Sequence, residues 1–116
     1  MDIDILILAD DLERVWQLAK EMGYDVEGLP LHFDNGIIEI RRISKIDRES
    51  KQLITLDFLL VTDALLDVWA AREKVEWSSG ATWTVSTDGL IKLKLLAGRK
   101  QDLLDIEKLR EAQNGD

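Results

Sequence analysis

A carboxylate stands in the middle of the most apolar segment of this chain. In the run QLITLDFLLV (52–61), Ile54, Leu56, Phe58 and Leu60 fall on one side of an extended strand, and Thr55, Asp57, Leu59 and Val61 on the other. A run this apolar reads as a buried strand. A buried carboxylate without a partner is costly, so the fold must bring one to Asp57.

The chain's opening supplies candidates. In DIDILIL (2–8), Asp2 and Asp4 lie on the same side of a strand, about 6.6 Å apart along its axis. Ile3, Ile5 and Ile7 form one face and Asp2, Asp4, Leu6 and Leu8 the other, which predicts a central strand covered on both sides. Two carboxylates this close repel each other and hinder each other's ionisation. A divalent cation reverses that, because hard oxygen ligands suit Mg²⁺, which takes one or two carboxylates plus substrate phosphates and water. If the 52–61 strand neighbours the 2–8 strand, Asp2, Asp4 and Asp57 converge as three oxygen ligands for Mg²⁺ or Mn²⁺. The plainer alternative is that Asp2 and Asp4 are solvated at an exposed strand end. If Asp57 clusters with Asp4 without a metal, neutralising Asp57 should stabilise the fold.

The remaining pattern sets the fold class. Leu12, Val15, Trp16, Ala19 and Met22 recur at helical spacing after Asp10 or Asp11 as cap, and Gly23 stops that helix. A short strand and loop follow over 24–33. DNG at 34–36 marks a hairpin turn into the strand IIEIRRI (37–43). A polar turn over 45–52 leads to the Asp57 strand, and a helix is expected from Thr62 or Asp63 to about Lys74. A small hairpin around Ser79 and Gly80 comes next. A helix capped by Ser86 or Thr87 and ended by Gly98 follows, and a last helix covers roughly 100–112. The order predicts an α+β domain spanning 1–116, with a mixed, largely antiparallel sheet and helices packed on it. No glycine-rich phosphate loop follows a strand, so neither a Rossmann site nor a P-loop is supported.

Charge and composition exclude several classes. The formal net charge of −8 argues against broad nonspecific nucleic-acid binding, which rests on neutralising phosphates. The chain has no cysteine, which excludes disulfides, zinc knuckles and a thiol nucleophile and fits a cytoplasmic location. No apolar run approaches the length of a membrane span and no signal peptide is legible, so no membrane partner is expected.

From Asp2 to about Leu109 the chain resembles the minimal nucleotidyltransferases of the DNA polymerase β superfamily, especially the families related to the AbiEii toxins and the MNT antitoxins. The resemblance is carried by DIDILI, by LDFLLV and most specifically by KLLAGRKQDLLD (94–105), which is close to a signature K-x-x-A-G-R-x-x-D-x-x-D. It implies a nucleotidyltransferase-like fold and Mg²⁺-dependent transfer of a nucleoside monophosphate from an NTP to a protein or RNA hydroxyl. Asp2, Asp4 and Asp57 would hold the metal, and Lys94, Arg99 and Asp102 would border the nucleotide. It also implies a cognate toxin or antitoxin as a partner, and leaves homodimerisation open. The family's Gly-Ser motif, on a helix before the D-x-D strand, has no room ahead of Asp2, so the chain is expected to be N-terminally truncated relative to the family and weakly active or inactive. A catalytically inactive module of the same fold, acting by protein association, is the competing expectation. A small α+β binding domain that takes no nucleotide is a third.

The residues of the signature also have a purely structural reading. Lys94 interrupts an apolar helical run and needs a carboxylate, a phosphate or solvent. Asp102 and Asp105 share a helix face and can pair with Lys94 or Arg99, tying two helices together. Elsewhere, Arg41, Arg42, Lys45, Arg48 and Lys51 form a basic edge, either a solvated face or a dock for RNA or an acidic partner. His32 is a lone loop histidine. Trp16 and Trp69 are expected in cores, while Trp77 and Trp83 are expected to pair across the small hairpin or, alternatively, to offer a stacking surface for a base.

Overall fold

A computed structural model describes the backbone of residues 2–33, 36–98 and 100–114, and the side chains of these residues except those at 2, 33, 97, 100, 101 and 114. The chain divides into two compact units, Met1–Asp63 and Ala64–Asp116.

The first unit is built on the predicted hairpin of the two longest strands. β4 (Ile38–Ile46) and β5 (Leu53–Val61) pair antiparallel from Ile46–Leu53 to Ile40–Leu59. The turn between them is closed by Asp47, whose carboxylate accepts from the Ser50 amide at 3.2 Å and the Ser50 hydroxyl at 2.6 Å. β1 (Asp2–Leu8) runs parallel to β5 on its other side. β2 (Val26–Glu27) and β3 (Leu31–Phe33) pair antiparallel with opposite ends of β4. The strand order is β1-β5-β4-β2, with β3 also on β4. The expected mixed, largely antiparallel sheet is present, but β1 lies at its edge rather than at its centre. Apolar residues on both faces say that a strand is covered above and below; they do not say how many strands flank it.

One face of this sheet carries the core. Ile7, Ala19, Tyr24, Ile43, Leu56, Phe58 and Leu60 are buried together, with Ile5, Leu12, Val15, Trp16 and Ile54 packed against them. α1 (Leu12–Glu21) contributes the apolar stripe read from the sequence, and its Trp16 meets Phe58 edge-on at 6.3 Å. Phe58 is essentially fully buried, which stabilises the unit by about 1.5–3 kcal/mol. No aspartate side chain caps α1. A turn of 3₁₀ helix, Ala9–Asp11, precedes it, and Asp11 pairs with Arg14 at 3.1 Å.

The second unit holds α2 (Leu66–Ala70), the hairpin β6 (Glu73–Trp77) and β7 (Gly80–Thr84), α3 (Thr87–Ala97) and α4 (Lys100–Asn114). Ser86 caps α3, its hydroxyl accepting the Gly89 amide at 3.1 Å, and Gly98 ends it at φ 65°, a left-handed conformation that glycine adopts without strain. Gln113 donates to Asp88 at 2.9 Å, joining the far end of α4 to the start of α3. The helix expected to reach Lys74 stops at Ala70, because Glu73 and Lys74 are taken into the hairpin ladder opposite Thr84 and Trp83. Trp77 and Trp83 fall on opposite faces of that hairpin and do not pair. Instead Arg72 lies between Trp69 and Trp83, 4.3 Å and 4.9 Å from the two ring centroids.

Candidate functional site

The sheet face opposite the core carries the acidic residues. In the parallel pair β1–β5, Asp2 is the partner of Thr55 and Asp4 the partner of Asp57. Register partners in neighbouring strands project to the same face, with backbones about 4.8 Å apart. The sheet therefore brings Asp4 and Asp57 side by side. The Asp2 backbone is two positions along the same strand, and its side chain lies outside the described residues. Asp4 is exposed, while Asp57 is only 6 % exposed.

The third strand adds a residue that the sequence reading had placed on a basic edge. Arg42 of β4 is the partner of Asp57. Its Nε donates to Asp57 Oδ1 at 2.7 Å and its Nη2 to Oδ2 at 2.9 Å. Two parallel N–H bonds to one carboxylate are the strongest arrangement open to such a pair. One row across the sheet thus reads Asp4, Asp57, Arg42. The next row pairs the hydroxyls of Ser44 and Thr55 at 2.9 Å, both nearly buried. Among the described residues no buried side-chain polar atom lacks a hydrogen-bond partner.

Arg42 was legible as the partner in principle. A turn over 47–52 makes paired residues of the two strands sum to 99, which sets Ile46 opposite Leu53, Ser44 opposite Thr55 and Arg42 opposite Asp57. The missing signal was the turn length, since the sequence reading began the turn at Lys45. Two more residues of the basic edge are also engaged within the chain. Arg41 donates twice to Glu39, and Lys45 stacks over Tyr24 at 4.6 Å while donating to the Met22 carbonyl. His32 lies in β3, opposite Glu39, rather than in a loop.

The downstream residues form a separate group in the second unit. Lys94 of α3 donates to Asp105 at 2.9 Å and lies 3.7 Å from Asp102, both on α4. Asp102 is 2 % exposed. This is the helix-tying arrangement that the sequence allowed beside nucleotide contact. Arg99 lies outside the described residues.

The chemistry of the first group can be weighed against Mg²⁺. A carboxylate offers about four lone-pair directions, and Arg42 takes one on each oxygen of Asp57, so each oxygen keeps one. With exposed Asp4 alongside, this is a two-carboxylate, all-oxygen donor set of the sort Mg²⁺ uses when phosphates and water complete its shell. Among the described residues no group of three acidic or histidine side chains is disposed to hold a metal. The described residues thus offer at most two carboxylates, and one of them is already held on both oxygens by a guanidinium. A shallow groove of about 860 Å³ lies elsewhere, between α1 and Arg41, and holds neither aspartate.

No protein-family model matches this chain, and no curated protein matches it.

Proposed function

We propose that this chain is a nucleotidyltransferase-like domain that transfers a nucleoside monophosphate from an NTP to a hydroxyl on a protein or RNA, with Mg²⁺. The observation that carries the reading is the register of β1 on β5, which sets Asp4 beside Asp57 on one sheet face. Asp4 and Asp57, with Asp2 on the same strand, would hold the ion. When bound, it would clamp the triphosphate and acidify the attacking hydroxyl. In this reading Asp57 would also take the hydroxyl proton, for which Arg42 would have to release one of its oxygens. Within the second unit, Lys94 and Arg99 as phosphate contacts, with Asp102 beside them, are a separate part of the proposal. Lys94 would have to exchange its carboxylate partners on α4 for phosphate.

A second reading is favoured by a specific observation. Both oxygens of Asp57 are held by Arg42, and Lys94 is held by Asp105 and Asp102. A domain whose expected site charges are paired within the chain suits a non-catalytic module that acts by protein association, including within a toxin–antitoxin pair. Exposed Val75, Trp77 and Trp83 on the small hairpin provide apolar surface for it.

The two readings separate in one assay. The protein is incubated with labelled NTPs, Mg²⁺ and a cell extract, beside Asp4→Asn and Asp57→Asn. Label on RNA or protein that both variants lose supports transfer. No label, together with no calorimetric heat on adding any NTP, leaves the association module.

A further inference from the structure

We propose that the small hairpin joins this chain to a second copy of itself, edge to edge through β6, about a two-fold axis at Val75. The inference rests on the association reading above for its use of the hairpin as a docking surface, and it names the partner as another copy of this chain.

The hairpin is poorly supported by itself. Every residue of Glu73–Trp77 and Gly80–Thr84 is exposed, and among the described residues the two strands pair only with each other. A lone pair of strands is marginal in water, and further strands stabilise it. An open strand edge is also a template for another strand.

The turn decides which backbone groups face outward. The strands are joined by the two-residue turn Ser78–Ser79, with Trp77 opposite Gly80. The pair flanking such a turn exchanges hydrogen bonds, and hydrogen-bonded pairs then alternate along the ladder. Trp77, Val75 and Glu73 therefore direct their N–H and C=O groups to β7. Those of Lys74 and Glu76 point out from the β6 edge. A second β6 laid antiparallel along that edge must set outward groups against outward groups.

Charge then selects the register. Centring the pair on Lys74 or on Glu76 opposes like charges, which is destabilising. Centring it on Val75 sets Lys74 opposite Glu76 of the second copy, and Glu76 opposite its Lys74. Outward backbone groups and side-chain charges are then answered together. Lys74 and Glu76 already share a face, 3.3 Å apart, with both side chains more than half exposed. The same axis sets Val75, 44 % exposed, against its own copy. The Trp77 ring leans across β7, 3.8 Å from where a Cβ on Gly80 would lie, so it does not block the β6 edge. β7 is uncharged, and nothing along its edge selects a register in this way. The product is one sheet in the order β7-β6-β6-β7, a self-complementary contact that closes on itself.

Sedimentation equilibrium on the full chain tests this. Wild type is compared with Lys74→Glu, with Glu76→Lys and with an equimolar mixture of the two variants. Both positions are exposed, and circular dichroism checks that each variant folds as wild type does. Wild type should dimerise. Each variant alone should dimerise about tenfold more weakly, because both symmetry-related pairs become like-charged. The mixture should recover wild-type association, since every pair again joins opposite charges.

The failures are distinct. A wild type that stays monomeric up to about 1 mM overturns the inference and leaves association with a different protein standing. A dimer that neither variant weakens also overturns it, because self-association then runs through another surface. Variants that weaken the dimer without recovery in the mixture overturn the Val75-centred register and this inference with it. The association reading itself is judged by the labelling assay, whose readout does not depend on these charges.

Discussion

At the scale of single residues, the Arg42–Asp57 pair changes what a conservative substitution should do. Two adjacent carboxylates without a counter-ion would gain from neutralising one of them, and the sequence led to that expectation for Asp57→Asn. With Arg42 donating to both oxygens, the sign reverses. Asp57→Asn removes the acceptor charge and leaves a guanidinium that only partly regains water. The expected loss is about 1–2 kcal/mol, toward the low end for hydrogen bonds to charged groups because Arg42 is half exposed. Urea denaturation of wild type, Asp57→Asn, Arg42→Gln and the double variant would measure it as a coupling energy. Equal or greater stability for Asp57→Asn would mean that the pair is not formed in solution. The sequence made the need legible, since an aspartate among leucines must be answered. It did not disclose which residue answers it, because that depends on a turn length that periodicity leaves loose by a residue or two.

At the scale of elements, what could be read was what local chemistry decides. Ser86 and Gly98 bound α3 as their side chains and backbone preferences require, and the hairpin around Ser79–Gly80 forms where it was expected. What could not be read was the outcome of a contest between elements. Residues 71–74 favour a helix locally, yet pairing with β7 gives Glu73 and Lys74 a ladder partner each and ends α2 early. The lateral place of β1 was equally hidden, because its alternation reports its faces and not its neighbours. Gly89 shows the same interplay. It occupies the first turn of α3, where alanine would be the better helix former by about 1 kcal/mol. A Cβ there would lie 2.8 Å from Val85 Cγ1 and 3.0 Å from Val68 Cγ1. Both are branches of stiff side chains, and forcing extra volume into a packed contact costs about 1–3 kcal/mol. Gly89→Ala should therefore lower the thermal midpoint, and a raised midpoint would show that this contact between α2 and α3 is loose.

At the scale of the molecule, the chain has no helix among its described residues long and apolar enough to cross a membrane. Several of its acidic side chains are held in surface ion pairs and hydrogen bonds in each unit. Glu27 is held below the usual glutamate value of 4.5 by its hydrogen bond to Lys20, by that from Trp16, and by the Lys20 charge. Asp47 is held below 3.8 by the Ser50 hydroxyl and amide, and Asp67 below 3.8 by its hydrogen bond to Lys92 and the Val68 amide. A carboxyl whose folded value is depressed contributes stability above its unfolded value and loses it as pH falls through the folded one. Melting temperature should thus hold steady down to about pH 5 and fall below it as Glu27, Asp47 and Asp67 take up protons. Glu27→Gln and Asp67→Asn should each flatten that fall, and an unchanged slope would mean that those pairs do not persist in solution. The indoles are divided unevenly between the units. Trp16 is the lone tryptophan of residues 1–63, whereas Trp69, Trp77 and Trp83 belong to the remainder, two of them flanking the Arg72 guanidinium. Intrinsic emission during heating is consequently weighted toward the C-terminal half, while far-ultraviolet dichroism samples the five-stranded sheet as well. The gap between those two optical midpoints is a direct gauge of how far the halves melt as one.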